Sequence, residues 1–286
     1  MDLMMVDPSL YESDFISFML ALSRNNPINL FALFLLSLIR MAPIVSFVPF
    51  FGAKLPSSTK MGLAIALTFI FLPQIVMTNK TDLALNGYYL VCVIKELFVG
   101  VLLAFLAGVP FLMLQSSGTI IDFQRGSSSL QVTDPSMLTQ TSAIGLFLNN
   151  MMILVFFETG GLYLYVDTLS HAYKVLPPAE LLSRAFFESF HLPLWQTMLT
   201  LVSQFMAISI QLAAPSLLAI LMTETFLGIA NRLAPQVQIT FLGMPLKSFL
   251  GIGVLFVGWF IILKQMSIQS NLWFEKVRSI TPYLNP

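Results

Sequence analysis

The chain is a succession of apolar stretches close to the length that crosses a bilayer, several of them interrupted by a proline, a charge or both. A spanning helix takes about 20 mostly apolar residues. Ile28–Phe51 is long enough and carries Arg40, Pro43 and Pro49. Met61–Met77 carries Pro73, and Tyr88–Leu114 carries Lys95, Glu96 and Pro110. Ile144–Phe157 is shorter and ends against Glu158. Leu194–Met222 holds Gln204, Gln211 and Pro215, and Phe249–Leu263 follows Lys247. Helix-length runs without the regular turn signals of a barrel predict an all-α, polytopic integral membrane protein with broken helices. A broken helix survives in lipid only where protein or a water-filled cavity satisfies the freed backbone. So many breaks predict that other protein surrounds this chain.

Composition agrees. Only 10% of the residues are charged and 57% are hydrophobic, whereas a soluble domain carries about 25% charged residues. Fourteen basic and fourteen acidic residues balance, without the basic stripe of a nucleic-acid binder. The single cysteine, Cys92, excludes an intrachain disulfide and a cysteine zinc site, and its apolar neighbours mark it as a small buried hydrophobe. The acidic start "MDLMMVDPSLYESDF" is unlike a secretory signal, so the apolar runs are expected to stay in the mature protein. Basic residues are too scattered to fix an orientation.

An ionised group near the bilayer centre costs about 2.5–3.5 kcal/mol on insertion scales. Arg40, the adjacent Lys95 and Glu96, and Glu224 therefore need partners or water. The stem of Lys95 is long enough to snorkel to an interface, while Arg40 and Glu224 call for buried polar contacts whose partners the sequence does not name.

Two polar stretches read as loops. One runs from Gln115 to about Thr141; the other, Asp167–Pro193, holds Pro177, Pro178 and both histidines, His171 and His191. The C-terminal stretch reads as an amphipathic helix stopping before Pro282, with Trp273 and Phe274 suited to an interface. No HExxH, phosphate loop or nucleophile elbow occurs. The chain therefore reads as neither an enzyme nor a cofactor protein. A secondary transporter with discontinuous helices is the alternative class, though no internal repeat supports it. An intramembrane enzyme would need a nucleophile–base pair that spacing does not supply.

The first loop contains "GTIIDFQRGSSSLQVTDP", Gly118–Pro135. Gly118 and Gly126 bracket a polar turn in which Asp122 and Arg125 are spaced to pair on a helix. Asp134 is placed to cap a helix beginning at Pro135. This stretch resembles a signature of the SctT/FliR family of type III secretion export-apparatus subunits. A second block, "ETFLGIANRLAPQVQITFLGMPLKSFLG" from Glu224 to Gly251, resembles that family's second signature, in the same order and at a similar spacing. The "IDFQRG" form is similar to the injectisome branch, SctT, since flagellar members usually lack the Asp and Arg; Phe123 and the serines at 127–129 depart from the most usual residues.

The resemblance implies a subunit of the bacterial inner membrane, packed with SctR and SctS in a helical export-gate assembly, with SctU at the entrance and SctV nearby. It implies an SctR-like module over residues 1–193, including a loop at 115–141, and an SctS-like hairpin with its tail over 194–286. It implies that 118–135 plugs a channel for unfolded secreted polypeptides, with Gly118, Ile121, Asp122, Gln124, Arg125, Gly126, Asp134 and Pro135 as its residues. Arg232–Lys247 is then expected to be a turn between the last long helices, with Glu224 and Lys247 tying the hairpin to SctS or SctU. Arg40, Lys95, Glu96 and Arg232 are the further polar or inter-subunit contacts expected.

Overall fold

The structure, a computed structural model, describes residues 27–52, 55–79, 86–126, 142–181, 193–233 and 239–280. These residues form helices: α1 (Pro27–Phe47), a 3-10 turn (Pro49–Phe51), α2 (Ser57–Thr78), α3 (Gly87–Gln124), α4 (Ala143–Glu158), α5 (Gly161–Val175), α6 (Pro193–Leu233), α7 (Ile239–Val257) and α8 (Trp259–Ile280). Among the described residues, four helices are long and apolar enough to cross a membrane, or up to six if the pairs α4/α5 and α7/α8 each count as one broken span. The all-α, polytopic, broken-helix architecture expected from the apolar runs is present.

Several boundaries differ from the sequence reading. Gln115–Gln124 is not loop but the last turns of α3. Asp167–Val175, including His171, belongs to α5. The expected turn Arg232–Lys247 is shorter, because Arg232 and Leu233 complete α6 and residues 239–247 already belong to α7. In each case the helix continues because its backbone groups are paired within it.

The chain divides into two compact units, one built from the described residues of 1–108, 163–196 and 274–286, the other from those of 109–162 and 197–273. In the first, α1 lies against α2, with the rings of Phe34 and Phe69 tilted by 42° at 5.0 Å between centroids. Leu33, Leu36 and Ile44 of α1, Ile75 of α2, Cys92 and Val99 of α3, and Tyr165 and Tyr173 of α5 are buried residues of this unit. Gln74 and Ser170 join α2 to α5 by a reciprocal pair: the Gln74 amide donates to the Ser170 carbonyl at 2.6 Å, and the Ser170 hydroxyl donates to Gln74 Oε1 at 2.9 Å. Inside a bilayer such contacts carry weight, because lipid removes most of the hydrophobic drive between helices.

In the second unit Ile121, Ala213, Ile220 and Leu255 form a core that brings together α3, α6 and α7. Phe111 meets Phe156 edge-on at 5.5 Å, and Phe147 meets Trp259 at 5.4 Å. At Gly258 the pair α7/α8 bends by 60°.

Candidate functional site

The end of α3 and the start of α4 are held by one carboxylate. Asp122 is 3% exposed. Its Oδ2 accepts from the Ser142 hydroxyl at 2.5 Å and from the backbone N–H of Ile144 at 2.8 Å, and its Oδ1 accepts from Arg125. Ser142 is the N-cap of α4, its hydroxyl oxygen accepting from the Gly145 N–H at 2.8 Å. The first N–H groups of a helix have no intrahelical partner. Here Ser142 and Asp122 take two of them, and the carboxylate meets the positive end of the helix dipole.

One turn earlier the two helices touch backbone to backbone. A Cβ on Gly118 would lie 2.5 Å from the Gly145 nitrogen, and one on Gly145 would lie 2.7 Å from the Gln115 carbonyl oxygen. Only glycine at both positions permits this approach. Ile121 is buried in the core just described. Gly126 then ends α3, with φ +95° and its N–H donating to the Phe123 carbonyl at 3.1 Å, a left-handed ending of the kind glycine favours. The arrangement fixes both ends of the connection 127–141 on a single anchor. Asp134 and Pro135, within that connection, lie outside the described residues.

Gln124 reaches across to α6. Its amide reaches Glu224 Oε2 on α6 at 3.5 Å, the outer limit of a hydrogen bond, while Lys247 of α7 donates to Glu224 Oε1 at 2.6 Å. The Glu224–Lys247 pair thus gives Glu224 a polar contact within this chain. It lies beside a groove of about 340 Å³ lined also by Asn231 and Gly243. Arg232 is exposed in the last turn of α6, where a cation complements the helix dipole.

Arg40, Lys95 and Glu96 come together in the first unit. Arg40 and Glu96 are fully buried and joined by two hydrogen bonds, from Nε and from Nη2, the latter at 2.7 Å. Arg40 also donates to the Leu176 carbonyl at 2.9 Å and lies 4.4 Å from the centroid of the Tyr173 ring. Lys95 does not snorkel. Its ammonium pairs with Glu96 and donates to the carbonyls of Pro177, Pro178 and Glu180 at 3.1, 3.0 and 2.9 Å. Prolines suit this role, since each offers a carbonyl without an N–H of its own to place. The cluster ties α1, α3 and the turn after α5 together. Sequence reasoning named these three charges but missed Tyr173, Leu176 and Ser142, whose roles depend on tertiary placement.

Residues 31–271 match the family described as "Bacterial export proteins, family 1". Among curated proteins the chain is 31% identical to the surface presentation of antigens protein SpaR of Salmonella typhimurium, over 76% of this chain and 78% of that protein. It is 29% identical to the Yop proteins translocation protein T of Yersinia pestis, over 78% and 83% respectively. It is 26% identical to the flagellar biosynthetic protein FliR of Bacillus subtilis, over 90% and 97%. A match across most of the chain, together with the polytopic helical fold, makes this protein a member of the bacterial export proteins, family 1.

Proposed function

We propose that this chain is the SctT-type subunit of a type III secretion export apparatus in the bacterial inner membrane. It joins SctR and SctS homologues in a channel for unfolded polypeptides, with SctU and SctV as further neighbours. Residues 118–135 contribute the plug, hinged at Gly126 and fastened at its base by Asp122.

The observation that carries the assembled state is the exposed apolar surface that runs along and around α6. Leu199, Met206, Ile210, Leu218, Phe226 and Leu233 are exposed along it, from 55% to 81%. The 35 residues Leu199–Leu233 extend about 52 Å as a helix, against a hydrocarbon core of about 30 Å. Lipid covers only part of such a surface, and the remainder needs apolar protein. The injectisome branch is favoured over the flagellar one by Asp122 and Arg125, whose pairing builds the clasp at the base of the plug segment.

Co-purification tests the reading. Solubilised in mild detergent from its own cells, the chain is expected to come out with SctR and SctS homologues in one particle. Recovery as a monomer or homo-oligomer without them would contradict it and favour a transporter.

A further inference from the structure

Two helix breaks in the second unit face one cavity. Pro215, inside α6, has no N–H to offer the carbonyl of Gln211 four residues earlier. At Gly258 the α7/α8 bend is bridged by two backbone bonds, Gly258 N–H to the Val254 carbonyl at 2.9 Å and Ile262 N–H to the Gly258 carbonyl at 3.0 Å, while the carbonyls between them lie at a helix end, where regular partners are lost. Gln211, Pro215 and Gly258 line a cavity of about 380 Å³, together with Ser216 and Gln265.

The polar side chains there are unspent. Ser209 and Thr223, two other buried hydroxyls of α6, donate back to the carbonyls of Phe205 and Ala219 at 2.8 and 2.7 Å. Ser216 is 3% exposed and makes no such bond; its hydroxyl and the amides of Gln211 and Gln265 have no hydrogen-bond partner among the described residues. Among the described residues no charged one lines the cavity, and much of its wall is apolar, including the exposed Ile261.

We propose that this cavity is a docking site for a helix of another subunit, which inserts one amide or hydroxyl side chain (Asn, Gln, Ser or Thr) among Gln211, Ser216 and Gln265. The inference rests on the reading that α6 is covered by protein. The complementarity selects the occupant. Two amides, a hydroxyl and freed carbonyls offer donors and acceptors together, which a neutral side chain able to do both matches. A lysine or carboxylate would find no counter-charge. A lipid tail would fill the space and leave every polar group unpaired. Polar side chains that hydrogen-bond across helices are an established way to fix neighbours within a membrane.

The test places a photo-crosslinking residue at Ile261, on the cavity wall, or at Phe226, on the α6 face outside it, in cells making the whole apparatus. The Ile261 probe is expected to give an adduct with an apolar helix of a different subunit, mapping within one turn of an Asn, Gln, Ser or Thr. The double substitution Gln211→Leu with Gln265→Leu should lower that yield by about threefold or more, the factor that one interhelical hydrogen bond of average strength carries. The Phe226 adduct should persist, which also shows that the variant folds. Lipid adducts alone at Ile261, or an unchanged yield in the double variant, overturn the docking site while protein adducts at Phe226 uphold the assembly. Lipid adducts alone at both positions overturn both.

Discussion

The Ser142 hydroxyl donates to the carboxylate of Asp122 at 2.5 Å across twenty residues of sequence. The same carboxylate accepts the Ile144 N–H, so one side chain both caps α4 and fastens it to α3. Hydrogen bonds to a charged group contribute about 1.5–3 kcal/mol. Replacing Asp122 by Ala should therefore speed hydrogen exchange at the Ile144 and Gly145 amides by about ten- to a hundredfold, with Asn intermediate. Exchange that does not change would remove Asp122 from the capping role.

The contact of Gly118 with Gly145 admits no side chain. Gly118→Val should lower the melting temperature of the detergent-solubilised chain, in line with the about 1–3 kcal/mol that overpacking costs. A Cβ added at Gly62, in α2, would meet nothing within 4 Å, so Gly62→Ala should hold or raise that temperature. Equal effects at the two positions would argue against the close approach.

Arg40 and Glu96 illustrate how unevenly a buried pair responds to change. Removing one partner of such a pair costs about 3–5 kcal/mol, because the other charge stays buried, while exchanging both for apolar residues is often far milder. Glu96→Gln is expected to cut the yield of folded chain sharply. Arg40→Met combined with Glu96→Leu should recover part of it, the remainder reflecting the unpaired Lys95. Size-exclusion yield and thermal stability of the three variants decide the matter; a double variant worse than Glu96→Gln would refute the account.

The Glu224–Lys247 pair is different, since its side chains are 34% and 23% exposed. Pairs of this kind contribute about 0–1 kcal/mol. The charge reversal Glu224→Lys with Lys247→Glu should leave the melting temperature nearly unchanged, and each single reversal should lower it more at low salt than at high salt. A large loss in the double reversal would show that the two residues act through other groups.

Much of this was legible from the residues. Run length and apolarity placed the long helices, because a segment in lipid must satisfy its own backbone. The helical spacing of Asp122 and Arg125 foretold their pair. The extent of α3 was not legible, because the glycine and serines of "QSSGT" serve equally as loop residues and as the small surface that lets Gly145 approach. Pro177 and Pro178 likewise made the whole of 167–193 read as loop, although α5 runs to Val175. Partners separated by 56 residues, as Arg40 and Glu96 are, need the fold itself. Ser216 and Gln265 carried no signal at all, since a polar residue in an apolar run acquires meaning only from the cavity it faces.

The central claim is that the connection fastened by Asp122 closes a channel. The most direct measurement is ionic conductance across the membrane of cells expressing the whole apparatus, comparing wild type with a variant whose residues 127–136 are replaced by a short glycine–serine linker, leaving Asp122, Gly126 and Ser142 in place. The account predicts a large leak in the variant and none in wild type, with the complex assembled in both. An assembled variant that stays as tight as wild type would contradict it and place the seal in other subunits.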